Sequence, residues 1–132
     1  MSYTNNPLSI IGGTGITVTP VIGTGANSVT ISTSGAQTLA VTIALATPFG
    51  VINTDDVVSV EVTPAVPVAV NLPAGVLGTV FNIKDGLGLA SVATPITVTP
   101  LVGTIDGAAT AVINVPYGSL QIIYSGVEWK IL

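Results

Sequence analysis

β-Branched side chains dominate this sequence and direct it toward a fold made of strands. The chain holds 20 valines, 14 isoleucines and 18 threonines, so 52 of its 132 residues are β-branched. Such side chains are stiff at χ1 and pack better on a pleated sheet than along a helix. The 15 glycines and 9 prolines are spread through the chain and leave few uninterrupted windows of helical length. The sequence therefore predicts an all-β protein with short strands.

Alternation of apolar and polar residues between turn-forming residues marks the individual strands. The predicted strands lie at residues 16–19, 27–32, 37–45, 57–62, 66–72, 79–84, 96–99, 111–115, 120–124 and 127–132. Ser125 and Gly126 predict a tight hairpin between the last two strands, and Pro67 predicts an edge position for its strand. This number and spacing of strands is typical of a sandwich, a jelly roll or a barrel. We expect a single antiparallel β-sandwich or jelly-roll-like domain.

The first part of the chain differs in composition from the rest. Residues 1–33 are richer in glycine, threonine, serine and asparagine. We expect them to form an extended N-terminal arm for assembly or anchoring, with an ordinary N-terminal hairpin as the alternative, and residues 34–132 to form the body. The segment at residues 16–24 recurs in closely similar form at residues 96–104. This echo indicates a strand–turn–strand unit used twice, whereas a solenoid needs three or more repeats.

The scarcity of charge excludes several functions. The chain has two lysines, no arginine, six acidic residues, no histidine and no cysteine. Ser-His-Asp triads, Cys-His pairs and the usual zinc sites need residues that are missing here. Two lysines cannot neutralise a run of phosphates, so we expect no nucleic-acid partner. The spacing of the acids gives no sign of the paired carboxylates of a glycosidase. We therefore expect neither an enzyme nor a bound cofactor.

Four of the acids stand at predicted turns. Asp85 and Asp106 each precede a glycine, so we expect the aspartate to cap the turn and the glycine to adopt positive φ. Calcium binding is the alternative, but neither loop has a second acid nearby to complete a site. Asp55 and Asp56 form the one acidic pair, and we expect them to cap the loop before the next strand, with a surface ion site as the alternative.

The chain has too few charged side chains to cover the surface of a monomer in the usual way. Charged residues amount to 6% of the chain, against roughly 25% in an average soluble domain. Threonine, serine and asparagine solvate a β-surface but oppose edge-to-edge pairing less well than lysine and glutamate. We therefore expect a homo-oligomer docked on something larger. The mean hydropathy is +0.84, but no apolar run reaches the roughly 18 residues that a spanning helix needs, so we expect no membrane partner.

The second half of the chain carries a series of short motifs in a fixed order. They are V-N-L-P-A-G at residues 70–75, F-N-I-K-D-G-L-G-L-A at 81–90, I-T-V-T-P at 96–100, G-T-I-D-G at 103–107, Y-G-S-L at 117–120 and I-Y-S-G-V-E-W at 123–129. This series resembles the β-rich modules of tail fibres, tail spikes and capsid-surface proteins of tailed bacteriophages. The resemblance covers residues 66–132, and G-T-G-I-T-V at residues 13–18 resembles the openings of phage fibre segments. Residues 34–65 carry no such motif.

This resemblance implies a virion protein and, because phage fibres and decoration proteins of this kind are commonly trimers, a trimer. A tail fibre needs an attachment domain, a shaft and a receptor-binding tip, which is more than 132 residues provide. The favoured function is therefore capsid decoration: the protein would be made in the host cytoplasm, bind the major capsid protein on the outer capsid surface, and stabilise the head. The alternative is a tail-fibre, spike or head-fibre module that binds a host-cell receptor or surface polysaccharide.

Apolar and aromatic residues are the candidates for contacts in such an assembly. The aromatic residues near the C-terminus predict core or subunit-interface packing, and sugar stacking at a receptor-binding tip is the alternative. We expect capsid or subunit contacts from the arm, with the strand and turn that follow it, and from these aromatic residues. The candidates are Leu8, Ile10, Ile11, Val18, Ile22, Tyr117, Tyr124 and Trp129. No catalytic, cofactor-binding or metal-binding residue is predicted.

Overall fold

The structure is a computed structural model that describes residues 16–20, 29–33 and 38–132, with side chains from residue 38 onward. All regular elements of these residues are β-strands, which confirms the all-β prediction. No helix in this part of the chain has the length and apolar character needed to cross a membrane. The chain divides into two units, Met1–Thr38 and Leu39–Leu132.

The first unit contains one antiparallel pair of strands. Strand β1 (Ile16–Pro20) pairs with β2 (Val29–Thr33), with Ile16 opposite Thr33. The repeat of this segment in the second unit begins with strand β8 (Ile96–Pro100), and Ile96 lies opposite Ile113. In both places the first residue of the strand pairs with the residue 17 positions later. The repeated sequence thus forms the same strand pairing twice.

The second unit holds nine strands in two sheets. In chain order they are β3 (Val41–Ala44), β4 (Phe49–Gly50), β5 (Val57–Val60), β6 (Val68–Leu72), β7 (Val80–Asp85), β8, β9 (Ala111–Ile113), β10 (Ser119–Tyr124) and β11 (Trp129–Ile131). The five-stranded sheet has the order β11-β10-β7-β5-β3, and the four-stranded sheet has the order β4-β6-β8-β9. The two-residue strand β4 was not predicted because it is too short to show alternation.

Both sheets are mixed, so the expected purely antiparallel pairing is wrong. Strands β3, β5 and β7 run parallel in one sheet, and β4, β6 and β8 run parallel in the other. The reason is that the chain changes sheet at every connection from β3 to β8, so each return to a sheet has the same direction. The β8–β9 hairpin stays within one sheet and reverses the chain, which makes β10 antiparallel to β7. The last hairpin, β10–β11, is antiparallel as predicted.

A 16-residue structural repeat relates the first two parallel strands of the five-stranded sheet. Val41 lies opposite Val57, and the pairing continues in register to Ala44 opposite Val60. The Ala44 carbonyl also accepts a hydrogen bond from the Glu61 N–H at 2.9 Å, so the same register continues to the residue after each strand. Residue n of β3 is therefore equivalent to residue n + 16 of β5, up to Leu45 and Glu61.

The buried residues of the two sheets form one hydrophobic cluster. Val58 and Val60 point into it, as the alternation in this strand predicts, and Val62 packs partly buried against it. The single tryptophan, Trp129, is fully buried and stacks on Phe81, with ring centroids 5.4 Å apart. The core therefore joins the parallel strands to the C-terminal hairpin.

The predicted edge position for the strand that follows Pro67 is also wrong. Strand β6 lies between β4 and β8 and is paired on both sides. Pro67 stands one residue before the strand begins, and the first backbone bond on this side comes from Val68, whose N–H donates to the Pro95 carbonyl at 2.9 Å. Because the proline is outside the ladder, its missing N–H removes no bond from the sheet.

Candidate interaction surface

Asp85 at the end of β7 fixes two loops through its carboxylate. The residue is 2% exposed, and its oxygens accept hydrogen bonds from the N–H groups of Gly88 (3.1 Å), Leu89 (3.2 Å), Ala90 (3.0 Å) and Tyr117 (3.0 Å). Burial raises the pKa of the carboxyl, but these four donors outweigh burial and hold the pKa below its usual range. Asp85 therefore caps its turn as predicted and also anchors the β9–β10 connection.

The turn at Asp106 follows the prediction more closely than the turn at Asp85. Both Asp106 and Gly107 have positive φ, at 47° and 77°. The Asp106 carboxylate also accepts a hydrogen bond from the Ile131 N–H at 3.1 Å. After Asp85, by contrast, positive φ occurs at Gly88 (72°) and not at Gly86. The expected Asp-Gly geometry is thus present at one site and shifted by two residues at the other.

The acidic pair Asp55–Asp56 holds the start of the five-stranded sheet together. Asp55 is buried and accepts hydrogen bonds from the Thr42 hydroxyl at 2.6 Å and from the Ile52 N–H at 2.9 Å. Asp56 accepts one from the Ala40 N–H at 2.7 Å. The bond from Ile52 confirms the capping prediction for Asp55, whereas the Asp56 carboxylate binds the residue before β3 and not the loop before β5. Among the described residues, no three acidic, histidine or cysteine side chains are grouped to hold a metal ion.

A small ionic cluster ties β11 to the β8–β9 connection. The Lys130 ammonium lies 2.5 Å from the Glu128 carboxylate and 3.6 Å from the Asp106 carboxylate. Glu128 also accepts hydrogen bonds from the Thr104 hydroxyl at 2.7 Å and the Gly107 N–H at 2.8 Å. The bond from Lys130, followed by the other two, lowers the pKa of Glu128 to about 2. The pair of Glu128 and Lys130 therefore keeps its charges over the whole physiological pH range.

The three predicted aromatic contact residues do not form one site. Trp129 is fully buried and packs on Tyr124 with centroids 5.2 Å apart, so it belongs to the core and offers no surface to a partner. Tyr124 is partly buried against the core. Tyr117 stands at the opposite end of β10 and is 63% exposed. Its ring lies over Gly88, and its carbonyl accepts a hydrogen bond from the Lys84 ammonium.

The remaining predicted contact residues belong to the first unit. Leu8, Ile10, Ile11 and Ile22 lie outside the described residues, and Val18 lies in β1, whose side chains are not described. Their role as contact residues stays a prediction. The exposed surface of the second unit instead presents two groups of aliphatic residues that the sequence did not single out.

The first group runs along the outer face of β3 and is called the β3 stripe. Its residues alternate along the strand and its flanks and are between 52% and 71% exposed: Leu39, Val41, Ile43 and Leu45. β3 is an edge strand, with β5 as its one neighbour in the described sheet. Four exposed aliphatic side chains in one row are unusual on an edge, where natural proteins place charge or proline to prevent pairing.

The second group lies at one end of the second unit and is called the loop-end patch. Its residues come from three loops and are 56–82% exposed: Val76, Leu77, Leu101, Val102 and Val127. The loops are neighbours, since the Leu101 N–H donates to the Leu72 carbonyl at 3.2 Å and the Gly78 N–H to the Tyr124 carbonyl at 2.9 Å. Each loop contains a positive-φ glycine beside an exposed aliphatic residue, namely Gly78, Gly103 and Gly126. These turns hold the aliphatic tips in fixed positions.

Comparison with known proteins gives no assignment. No protein-family model matches the chain, and no curated protein sequence matches it. The candidate site is therefore defined by the β3 stripe and the loop-end patch, two apolar surfaces on a protein with little charge.

Proposed function

We propose that this chain is a structural virion protein of a tailed bacteriophage, and specifically a capsid decoration protein that binds and stabilises the outer surface of the head. The observation that carries the proposal is the amount of exposed aliphatic surface in the second unit. Isolated exposed aliphatic residues are common on soluble proteins, but contiguous groups mark interaction sites. The motif series in residues 66–132, with its resemblance to phage fibre and capsid-surface modules, supports a virion as the place of that interaction.

The charges of the second unit support a role in assembly over one in chemistry. Asp55 and Asp85 are buried, and their carboxylates accept hydrogen bonds from backbone and hydroxyl donors on both oxygens. Asp106, Glu128 and Lys130 form the ionic cluster. Most of the chain's eight charged side chains thus stabilise loops of the fold. A surface with so little remaining charge is best suited to contact with another protein.

The loop-end patch is the surface that we assign to the capsid. Its five aliphatic tips lie on preformed turns, so little conformational entropy is lost when they bind. We take the two sheets to form a sandwich that presents these loops at one end, and the major capsid protein to be the partner. We also propose that the protein acts as a homo-oligomer, since repeated weak contacts give high avidity on a shell.

Binding to purified phage heads that lack the protein tests this function. We expect the protein to bind such heads and to raise the temperature at which they open. Replacing Leu77 and Leu101 by serine removes two tips of the loop-end patch and should weaken binding at least tenfold. The matched control is Val92→Ser, because Val92 is the most exposed aliphatic residue of the second unit and lies in the loop at its other end. Equal binding by all three proteins would contradict the assignment of the patch.

Deletion of residues 1–33 tests the arm separately. The decoration hypothesis predicts that the shortened chain folds and associates but no longer docks on heads. Normal docking of the shortened chain would show that the arm has no anchoring role.

A receptor-binding module is the second candidate, and Tyr117 is the observation that favours it. Its exposed ring is held in place by a positive φ of 58°, by Gly88 beneath it and by backbone bonds to Asp85 and Lys84. A fixed, exposed aromatic ring is suited to stacking on a sugar. This function predicts binding to host cells or surface polysaccharide that Tyr117→Ala abolishes, without affinity for heads.

A further inference from the structure

The edges of the two described sheets differ in how well they are protected against pairing with another strand. Strand β4 has two residues, and β9 has three. Strand β11 also has three and carries Lys130 with its ion pairs. Strand β3 has four residues, and the β3 stripe extends over residues 39–45 without a charged residue or a proline. Of the four edges in the second unit, β3 is therefore the longest and lacks the features that prevent pairing.

Among the described residues, the backbone of β3 has no hydrogen-bonding neighbour on its outer side, at the same residues that carry the aliphatic side chains. The Ala40 carbonyl accepts a bond from the Val57 N–H at 3.0 Å, and the Ala44 carbonyl accepts one from the Glu61 N–H at 2.9 Å. Backbone groups alternate between the two sides of a strand. The N–H and C=O groups of Val41 and Ile43 therefore point away from β5, toward the open edge.

The 16-residue repeat shows that aliphatic residues are not a general property of this face. Ile43 is equivalent to Ser59, and Leu45 is equivalent to Glu61. Ser59 and Glu61 form a hydrogen bond with each other at 2.9 Å on the inner strand β5. The polar residues thus lie on the strand that is already paired, and the aliphatic residues lie on the edge. This is the reverse of the usual arrangement for an edge in contact with water.

We propose that β3 pairs with β3 of a second copy of this chain, antiparallel, about a two-fold axis at Thr42. In this register Val41 lies opposite Ile43 of the partner subunit, and Leu39 lies opposite Leu45 of the partner subunit. All four residues of the β3 stripe then face an aliphatic residue, and their free backbone groups form bonds across the interface. The same strand on both sides satisfies the requirement of an isologous contact, and no charge is brought close to another.

The second copy is the favoured occupant because its β3 is the strand that matches in length and chemistry. The edges at β4, β9 and β11 are shorter, and β11 would bring a charged residue against the stripe. Pairing through one edge also buries less than the roughly 1,600 Å² of a standard interface. We therefore expect reversible association, with a dimer fraction that rises with protein concentration.

Sedimentation velocity over a hundredfold concentration range tests this pairing. The substitutions Ile43→Ser and Leu45→Glu place in β3 the residues that stand at the equivalent positions of β5. This double variant should remain monomeric at concentrations where the unchanged protein is a dimer. The control is Val112→Ser with Val115→Glu, which introduces the same two polar residues in place of exposed aliphatic ones at and beside the β9 edge and should leave the dimer intact. A monomer at all concentrations, a closed trimer, or a double variant that still dimerises would overturn the proposal.

Cross-linking measures the register directly, since the chain has no cysteine of its own. Opposite residues in a hydrogen-bonded antiparallel pair have Cα atoms about 5.5 Å apart, which suits a disulfide. A mixture of Val41→Cys and Ile43→Cys chains should therefore form a disulfide-linked dimer faster than either chain alone. Equal rates for the mixture and for the two separate chains would contradict the register centred on Thr42.

This inference extends the proposed decoration function, and the two fail in different experiments. Fluorescence of Trp129 and thermal unfolding establish that the Ile43→Ser, Leu45→Glu double variant is folded. Head binding by this monomeric variant then reports on the loop-end patch without the dimer. Binding to heads without dimerisation of the unchanged protein overturns the β3 pairing alone, and dimerisation without head binding overturns the decoration function alone.

Discussion

Replacement of Asp85 by asparagine should destabilise the protein more than any other change of one carboxyl group. The carboxylate accepts four backbone hydrogen bonds while 2% exposed. An amide has one oxygen, so two of the four donors lose their acceptor and face an NH₂ group. Each bond to a charged acceptor contributes about 1.5–3 kcal/mol. Two lost bonds therefore cost roughly 3–6 kcal/mol, a large part of the 5–15 kcal/mol that stabilises a typical domain.

Urea unfolding at pH 7, followed by fluorescence, measures this cost. The one tryptophan, Trp129, is buried beside Phe81 and reports on the core without interference from another indole. The control is Asp106→Asn, because Asp106 is exposed and its carboxylate accepts one backbone hydrogen bond. Asparagine also tolerates the positive φ at this position, so the control should lose no more than about 1 kcal/mol, apart from any share of a weak surface ion pair.

The pH dependence provides an independent check on the same carboxylate. The pKa of Asp85 is lowered in the folded protein, so its contribution is complete above the pKa of the unfolded chain, about 3.9. The contribution is lost as the pH falls through the lower folded value. The free energy of unfolding of the unchanged protein should therefore approach that of Asp85→Asn as the pH falls below 4. A loss under 1 kcal/mol at pH 7, or a difference that does not change with pH, would refute the role given to the four hydrogen bonds.

Two further predictions concern the C-terminal hairpin and its surroundings. A Cβ atom at Gly75 would lie 2.2–2.4 Å from the ring of Tyr124, so Gly75→Ala should lower the free energy of unfolding by about 1–3 kcal/mol through overpacking. The control is Gly50→Ala, whose Cβ meets nothing within 4 Å and which should change the free energy of unfolding by less than about 0.5 kcal/mol. Equal effects of the two variants in thermal unfolding would contradict the packing argument. The Glu128 carboxyl, with a pKa lowered to about 2, should titrate well below its usual range by NMR. Lys130→Gln should raise the pKa of Glu128, since the hydrogen bond from Lys130 is the largest cause of its lowering. An unchanged pKa would show that the donors Thr104 and Gly107 cause the lowering instead.

Most strands could be predicted because alternation is a local property. Strands β1 and β8 were placed to within one residue, since each ends at a proline and each follows the same I-T-V-T pattern. The parallel pairing could not be predicted, because alternation shows that a segment is a strand but not which sheet it joins. One sequence signal did carry topology: Ser125-Gly126 marks the C-terminal hairpin, with Gly126 at a φ of 93°. The connections between β3 and β8 change sheet and contain no comparable hairpin signal.

The candidate surface was missed for a different physical reason. Residues 37–45 were correctly predicted to contain a strand, and hydrophobicity alone would bury its leucine, valine and isoleucine face. The structure buries the other face: Ala44 is fully buried, while Leu45 is 71% exposed. Thr42 is held on the inner side by its hydrogen bond to Asp55 at 2.6 Å. A buried acid that needs a hydroxyl partner thus determines which face of β3 points inward, and no pattern within the strand reveals that partner.

Strand β3, with its aliphatic face exposed, connects the composition of the chain to its proposed function. A protein with 6% charged residues has few means of keeping an edge strand apart from other strands. A charged residue on β3 would oppose aggregation through this edge. The fold accepts such a residue on this face of the sheet, because Glu61 occupies the position on β5 that is equivalent to Leu45. The β3 stripe instead keeps Ile43 and Leu45, at a position where serine and glutamate are structurally tolerated. Retaining aliphatic residues there is consistent with a surface that is covered in the assembled state, and the Ile43→Ser, Leu45→Glu variant separates the requirement for folding from the requirement for assembly.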